Sequence, residues 1–167
     1  MIQLYGIPGT ATTAPHMVLE EIGAVYEFVT VERTDDGVPT APPGYLEISP
    51  FGKVPTLRHN DLVLTESAAI CLHLADAFPD AGLIPKAGTP ERSEAMRWLM
   101  FLTNTVQPQF VTLFAPGRVM DGVSDEIKEG VKPGVRATLG KQLDWIDSEL
   151  AGRQYLLGDT FCGADLY

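Results

Sequence analysis

The sequence predicts an α/β N-terminal domain over residues 1–78, a linker at 79–88 and an all-helical C-terminal domain over 89–167. Short β-type runs alternate with helical segments in the first half of the chain. A tract rich in proline, glycine and alanine follows. Beyond it the apolar spacing changes from strand-like to helical.

Ile2 to Tyr5 is a β-type run stopped by Gly6-Ile7-Pro8-Gly9. Thr10-Ala11-Thr12-Thr13 supplies hydroxyls that cap a helix, and Pro15 is tolerated in its first turn. Met17, Val18 and Ile22 mark the buried face expected of that helix, and Gly23 is its stop. Tyr26 to Val31 reads as a second strand, which completes a βαβ unit. Asp35 to Gly44 holds three prolines and two glycines and reads as a loop with at most a helical turn after it. Val54 to Leu57 and Leu62 to Leu64 are short apolar runs separated by the turn residues His59-Asn60-Asp61, hence a hairpin. Leu72, Leu74 and Ala75 carry a helix onward to Phe78-Pro79. This βαβ opening followed by hairpin and helix is a thioredoxin-like arrangement. In the second half, Thr89-Pro90-Glu91-Arg92 offers an N-cap, a proline at the first helical position and an early acid. Ala95, Trp98, Leu99, Leu102 and Val106 then form one helical face, and Pro108 is expected to kink or interrupt it. Ile127 to Leu150 is a further helical stretch, weakened by Gly130 and Pro133-Gly134. Its stripe is Leu139, Leu143, Ile146 and Leu150.

The stretch from Gly52 to Ile70 carries the chemistry. Pro55 has no N–H to give to a ladder, so it fits the start of a strand beside an open groove, with a cis bond before it as one option. Val54, just ahead, then has a free N–H and C=O for an extended ligand. Thr65-Glu66-Ser67 sits at a helix start, where unsatisfied N–H groups and the positive dipole end attract a carboxylate. Capping alone also accounts for Thr65 and Ser67.

Ser49-Pro50-Phe51-Gly52-Lys53-Val54-Pro55-Thr56-Leu57, followed by Leu64-Thr65-Glu66-Ser67-Ala68-Ala69-Ile70, closely resembles the glutathione-binding half of the cytosolic glutathione transferases. The two motifs fall in the order and at the distance seen in that family. The resemblance implies that Val54 and Pro55 pair with the cysteinyl backbone, Glu66 and Ser67 hold the γ-glutamyl end, and Lys53 lies near the glycyl carboxylate. Gly158-Asp159-Thr160-Phe161-Cys162-Gly163-Ala164-Asp165-Leu166 resembles the capping box and staple that open the family's C-terminal core helix. Cys162 stands at the N-cap in place of the usual serine or threonine, and Asp165 would reach back to the N-cap backbone. The resemblance implies further helices after Tyr167, so the chain reads as truncated one turn into that helix.

Such an enzyme binds the tripeptide and favours its thiolate, which attacks an electrophile. One hydrogen-bond donor near the sulfur suffices to lower its pKa usefully. Leu4-Tyr5-Gly6-Ile7-Pro8-Gly9-Thr10-Ala11-Thr12-Thr13-Ala14-Pro15-His16 looks most like the bacterial beta-type members, which carry a cysteine where this chain has Ala11. Thr12 and Thr10 are the replacement candidates for the catalytic donor, with Tyr5 behind them. Either threonine also reads as a plain helix cap, and Tyr5 as strand packing. Trp98, Asn104, Gln107 and Phe110 are candidates for the second-substrate pocket, though Asn104 and Gln107 equally suit an exposed helix surface.

Composition bounds these readings. Hydrophobic residues make up 45% and charged ones 20%, enough for a core and against disorder. The formal charge of −10 argues against nucleic acid or an anionic membrane as partner. Cys71 and Cys162 suggest neither a disulfide framework nor a zinc site, and no Cys-x-x-Cys pair exists for a disulfide reductase. His16, His59 and His73 pair with no nucleophile at a recognisable spacing, which disfavours a hydrolase. No basic, apolar leader and no bilayer-length apolar run is present, so a cytoplasmic protein is the default.

The function expected is a glutathione transferase acting on small hydrophobic electrophiles, with glutathione as co-substrate, no metal and no further cofactor. A homodimer is implied by the family alone. Two alternatives stand beside it: a glutathione-binding protein of weak catalysis with a stress or regulatory role, and a non-catalytic interaction module that keeps the fold.

Overall fold

The computed structural model describes residues 1–33, 39–40 and 42–167. The chain divides into two compact units, Met1–Pro85 with Leu166–Tyr167, and Lys86–Asp165.

The first unit is built on a four-stranded sheet of order β2-β1-β5-β6, with β1 at Ile2–Gly6, β2 at Glu27–Thr30, β5 at Thr56–His59 and β6 at Leu62–Thr65. β2 runs parallel to β1, as a βαβ crossover requires, while β5 runs antiparallel to β1 and β6 antiparallel to β5. A small separate ladder pairs β3, Glu32–Arg33, with β4, Pro39–Thr40. The helices of this unit are α1, Thr13–Ile22, the short α2, Tyr45–Ile48, and α3, Ser67–Ala77. Half of the loop expected over Asp35–Gly44 lies outside the described residues, Pro39–Thr40 within it forms β4, and α2 is the helical turn after it.

α1 packs on α3, and Val18, Leu19, Ile70 and Leu74 are all fully buried, as are Leu4 and Leu57 of the sheet. Leu19 rather than Met17 completes the inner face of α1, for Met17 is 42% exposed. Gly23 stops α1 at φ +69°, its N–H bonded back to Glu20 and Leu19. This left-handed geometry carries little penalty for glycine. The first hairpin strand starts at Thr56, two residues later than its apolar run suggests. Val54 and Pro55 stay outside the ladder because proline cannot donate to it. Asn60, at φ +56°, makes the hairpin turn.

The second unit is helical: α4 at Pro90–Phe101, α5 at Gln107–Phe114 and α6 at Asp125–Leu150. Thr89 caps α4 as its sequence suggests, accepting the Arg92 N–H at 3.2 Å. Between α4 and α5 the chain widens into a π turn over Leu102–Val106, closed by the Gln107 N–H to Leu102 O. Pro108 explains the widening. Lacking an N–H, it cannot continue the i→i−4 ladder, and the backbone absorbs the break one residue earlier. α6 runs unbroken through Gly130 and Pro133, contrary to the weakness expected there. Lys128–Asp125 and Lys132–Glu129 pairs brace its first turns.

Val106, Leu113 and Leu139 form a buried cluster in this unit, flanked by Phe101, Leu102, Val135 and Ile146. Trp98 stacks on Trp145 with centroids 5.1 Å apart, and the Arg97 guanidinium lies 4.6 Å over Trp98. Leu143 of the expected stripe is 45% exposed. The Cys162 N–H donates to Asp165 Oδ2 at 2.8 Å, the expected capping contact, and Asp165 Oδ1 also accepts the Leu156 N–H at 2.8 Å. Among the described residues no helix is long and apolar enough to cross a membrane.

Candidate functional site

The turn between β1 and α1 is closed by threonine hydroxyls. Thr10 Oγ1 donates to Ile7 O at 2.7 Å, and Thr12 Oγ1 accepts the Ile7 N–H at 3.2 Å. The two hydroxyls lie 3.1 Å apart. Since the Thr10 hydrogen is given to Ile7, the Thr12 hydroxyl is the donor between them. Both hydrogens therefore point into the loop. Thr12 is 1% exposed and packs against Gly6, where a Cβ would meet Thr12 Cγ2 at 2.0 Å. This makes Thr12 a brace rather than a group facing a ligand, and it makes no side-chain cap on α1. Thr10 is half-buried at the rim of the turn. Tyr5 lies on the sheet face opposite Leu4. Its hydroxyl is 3.4 Å from Gln3 Oε1 and its ring 5.6 Å from that of Tyr45.

The loop from Ser49 to Thr56 is held from beneath by three hydroxyls. Tyr45 OH donates to the Lys53 carbonyl at 2.6 Å, and Ser49 Oγ donates to the same carbonyl at 2.9 Å. Thr56 Oγ1 lies 3.1 Å from the Tyr45 hydroxyl. All three residues are buried. Tyr45 spends its single hydrogen on Lys53, so Thr56 donates to Tyr45. The Lys53 carbonyl thus receives two donors immediately before Val54. The Val54–Pro55 bond is cis. Ladder pairing on both sides begins at Thr56, which leaves the Val54 N–H and C=O ahead of either register. The Lys53 side chain is exposed and Pro55 is buried.

α3 opens directly after β6. Glu66 takes φ +70° and ψ 111°, a left-handed φ that an L side chain adopts at a cost of about 1–3 kcal/mol. Its carboxylate is exposed at the helix start. The first i→i−4 bond of α3 joins the Ile70 N–H to Glu66 O at 3.0 Å, so the amides ahead of it have no intrahelical acceptor. Ser67 is 6% exposed, and its Oγ lies 2.7 Å from the hydroxyl of Tyr167. Glu66, Ser67 and Val54 therefore combine a carboxylate, a hydroxyl, helix-start amides and an unpaired backbone edge, a set suited to a zwitterionic, peptide-like ligand.

The second-substrate candidates scatter. Trp98 is fully buried within its unit, stacked on Trp145, so it belongs to the core and not to a pocket wall. Asn104 is exposed on the π turn. Gln107 is half-buried and its Oε1 accepts from Thr103 Oγ1 at 3.3 Å. Phe110 is 40% exposed and stacks on Phe114 at 6.2 Å.

The thiols are inert by placement. Burial pushes Cys71 up to about 12 and Cys162 up to about 11, far from a thiolate at neutral pH. His59 Nδ1 and His73 Nε2 are 3.0 Å apart. Among the described residues no group of three or more His, Cys, Asp or Glu is placed to hold a metal ion.

Of the groups missed in the sequence, Tyr45 and Ser49 had a faint signal, being four apart just before the Gly52 turn. Tyr167, a hundred residues from Ser67, had none.

Comparison with known proteins identifies relatives of this chain. Residues 1–76 match the family model described as Glutathione S-transferase, N-terminal domain. Glutathione S-transferase GST-4.5 of Xanthomonas campestris pv. campestris is 32% identical, covering 99% of this chain and 78% of that protein. Glutathione S-transferase GstA of Escherichia coli O157:H7 is 30% identical, over 99% of this chain and 78% of its own length. A sphingomonad glutathione S-transferase complexed with glutathione superposes with a TM-score of 0.81 at 36% identity, covering 99% of this chain and 78% of that one. A bacterial beta class enzyme from Sphingomonas chungbukensis gives 0.81 at 35% identity with the same coverage.

Proposed function

From the premise that this chain belongs to the glutathione S-transferase family, an enzyme family, we propose that it binds glutathione in its first unit and promotes attack of the bound thiolate on small hydrophobic electrophiles. The observation that carries the reading is that Thr56 pairs with Thr65, which brings the Val54 backbone edge and the Glu66–Ser67 start of α3 to the same end of the hairpin. In the proposed arrangement the cysteinyl backbone lies along Val54 and Pro55 in β-strand fashion. The γ-glutamyl carboxylate takes the Ser67 hydroxyl and the free amides of α3, and its ammonium takes the Glu66 carboxylate. Lys53 answers the glycyl carboxylate.

For the thiolate, Thr10 is the proposed donor in preference to Thr12 and Tyr5, because Thr10 lies on the rim at the start of α1. Its hydroxyl would turn from Ile7 O to the sulfur. The positive end of α1 adds to it. Asn104, Gln107 and Phe110 remain the proposed contacts for the second substrate. The proposed protein is a cytoplasmic homodimer.

The alternative of binding without efficient turnover draws on one observation, Ala11 at the position where beta-type relatives have cysteine. Calorimetry with glutathione on wild type and Ser67→Ala, joined to a conjugation assay with an aromatic chloride, tests both. Binding that weakens about tenfold in the variant, roughly the value of one hydrogen bond to a charged group, together with turnover, supports the transferase. Binding without turnover selects the alternative. No binding by wild type refutes both and leaves a non-catalytic interaction module.

A further inference from the structure

Ser67 Oγ and the Tyr167 hydroxyl lie 2.7 Å apart, the usual O–H···O separation, across a hundred residues of sequence. Ser67 is 6% exposed, so bulk water competes little for its hydroxyl. Each hydroxyl has a single hydrogen. Were the serine hydrogen given to the tyrosine, Ser67 would face a ligand with lone pairs only, and a carboxylate could not pair with it. We propose that Tyr167 is a positioning residue for the carboxylate site: its phenol donates to Ser67 Oγ and so leaves the serine hydrogen for the ligand. This inference rests on the glutathione reading above.

The direction of the pair follows from the ligand's chemistry. A carboxylate accepts only, so on its arrival the Ser67 hydrogen turns to it and the Tyr167 hydrogen is given to a lone pair of Ser67 Oγ. Phenol, serine and carboxylate then form one donor chain in which each bond polarises the next. Tyr167 also holds the serine in one rotamer in the free protein, which removes an ordering cost from binding. The phenol acts through Ser67, at the end of the ligand remote from the sulfur. It should therefore alter affinity and leave the chemical step unchanged.

The test uses the full-length protein as wild type, Tyr167→Phe, Ser67→Ala and the double variant. Glutathione binding is compared with that of a decarboxylated analogue, γ-aminobutyryl-cysteinylglycine, which lacks only the carboxylate in question. Tyr167→Phe is expected to weaken glutathione by about 3- to 10-fold, to leave the analogue unchanged, and to raise KM for glutathione without lowering kcat. In the Ser67→Ala background it should add nothing, because the relay is already cut. Equal weakening of both ligands, or a full additional loss in the Ser67→Ala background, overturns the inference by showing a general packing effect. Undiminished glutathione binding by a folded Tyr167→Phe overturns it alone. Wild type that binds no glutathione overturns the proposed function and this inference with it.

Discussion

The doubly bonded carbonyl of Lys53 allows a sharp test of how the binding loop is held. Tyr45 and Ser49 both donate to it, at 2.6 and 2.9 Å, and Thr56 donates in turn to Tyr45 at 3.1 Å. Ser49→Ala removes one donor and leaves the carbonyl its shorter bond, so the expected loss is about 0.5–1.5 kcal/mol of stability. Tyr45→Phe does more. It removes the shorter bond and also strands the hydroxyl of Thr56, a residue with no exposed surface. A loss of about 1–3 kcal/mol follows, or roughly 2–4 °C in Tm for each kcal/mol in a chain of this size. The double variant strips the carbonyl of both donors, so its loss should exceed the sum of the singles by about 0.5 kcal/mol or more. Val54 follows Lys53 directly, and the same variants should weaken glutathione several-fold. Urea denaturation and calorimetry of the four proteins measure both quantities. Strict additivity with unchanged glutathione affinity would refute the idea that this carbonyl sets the position of the Val54 edge.

Three further outcomes are expected. Gly6→Ala should destabilise by about 1–3 kcal/mol or more through overpacking, because the new Cβ would lie 2.0 Å from Thr12 Cγ2; pairing it with Thr12→Ser, which deletes that methyl, should restore part of the loss in thermal melts. Neither thiol should react with an aromatic disulfide reagent at pH 8 in the folded protein, since burial raises Cys71 to about 12 and Cys162 to about 11; both should titrate once it is unfolded. His59 lies below its ordinary value of 6.5 through burial, then the neighbouring His73, then the N-terminal amine. The unfolded chain therefore binds the proton more readily, and stability present above pH 6.5 should fall as the pH drops toward the folded value. An NMR titration midpoint at or above 6.5, or an unaltered pH slope in His59→Gln, would contradict this.

The sequence made the βαβ unit, the hairpin and the start of α4 legible because each has a local cause. Gly23 stops a helix, Asn60 turns a hairpin, and Thr89-Pro90 opens a helix whatever packs around them. The errors arose where the cause is not local. Met17 and Leu19 lie two residues apart, on different sides of α1, and only the packing against α3 decides between them. Pro133 reads as a breaker, yet α6 runs through it; Lys–acid pairs at about 0.2–0.5 kcal/mol each are too weak to offset an internal proline, and the packing of Val135, Leu139 and Ile146 on the unit's buried cluster holds the helix through it. At the site, Glu66 and Ser67 were readable as a helix start. The burial of Thr12 was not, because it follows from the close approach of Gly6. Trp98 reads from the sequence as a candidate for the apolar wall of the second-substrate pocket; its burial follows from stacking on Trp145, 47 positions away (98 to 145).

Charge at the site bears on which ligand it suits. The chain carries a formal −10, which opposes any anion at long range. At physiological ionic strength that field is screened over about 8 Å, so the groups within bonding reach decide the matter. Those groups are not uniformly basic. Ser67 and the open amides of α3 favour a carboxylate, while Glu66 beside them repels one unless an ammonium accompanies it. A simple monocarboxylate would gain the hydroxyl and the amides and meet the Glu66 charge unopposed. An α-amino acid head group satisfies both at once, and the Val54 edge adds two backbone bonds to whatever peptide is attached to it. Neutralising the acid therefore separates the two ligand classes: Glu66→Gln should weaken glutathione and strengthen a simple carboxylate competitor such as glutarate. Tightening of both ligands would mean that the ammonium is bound elsewhere.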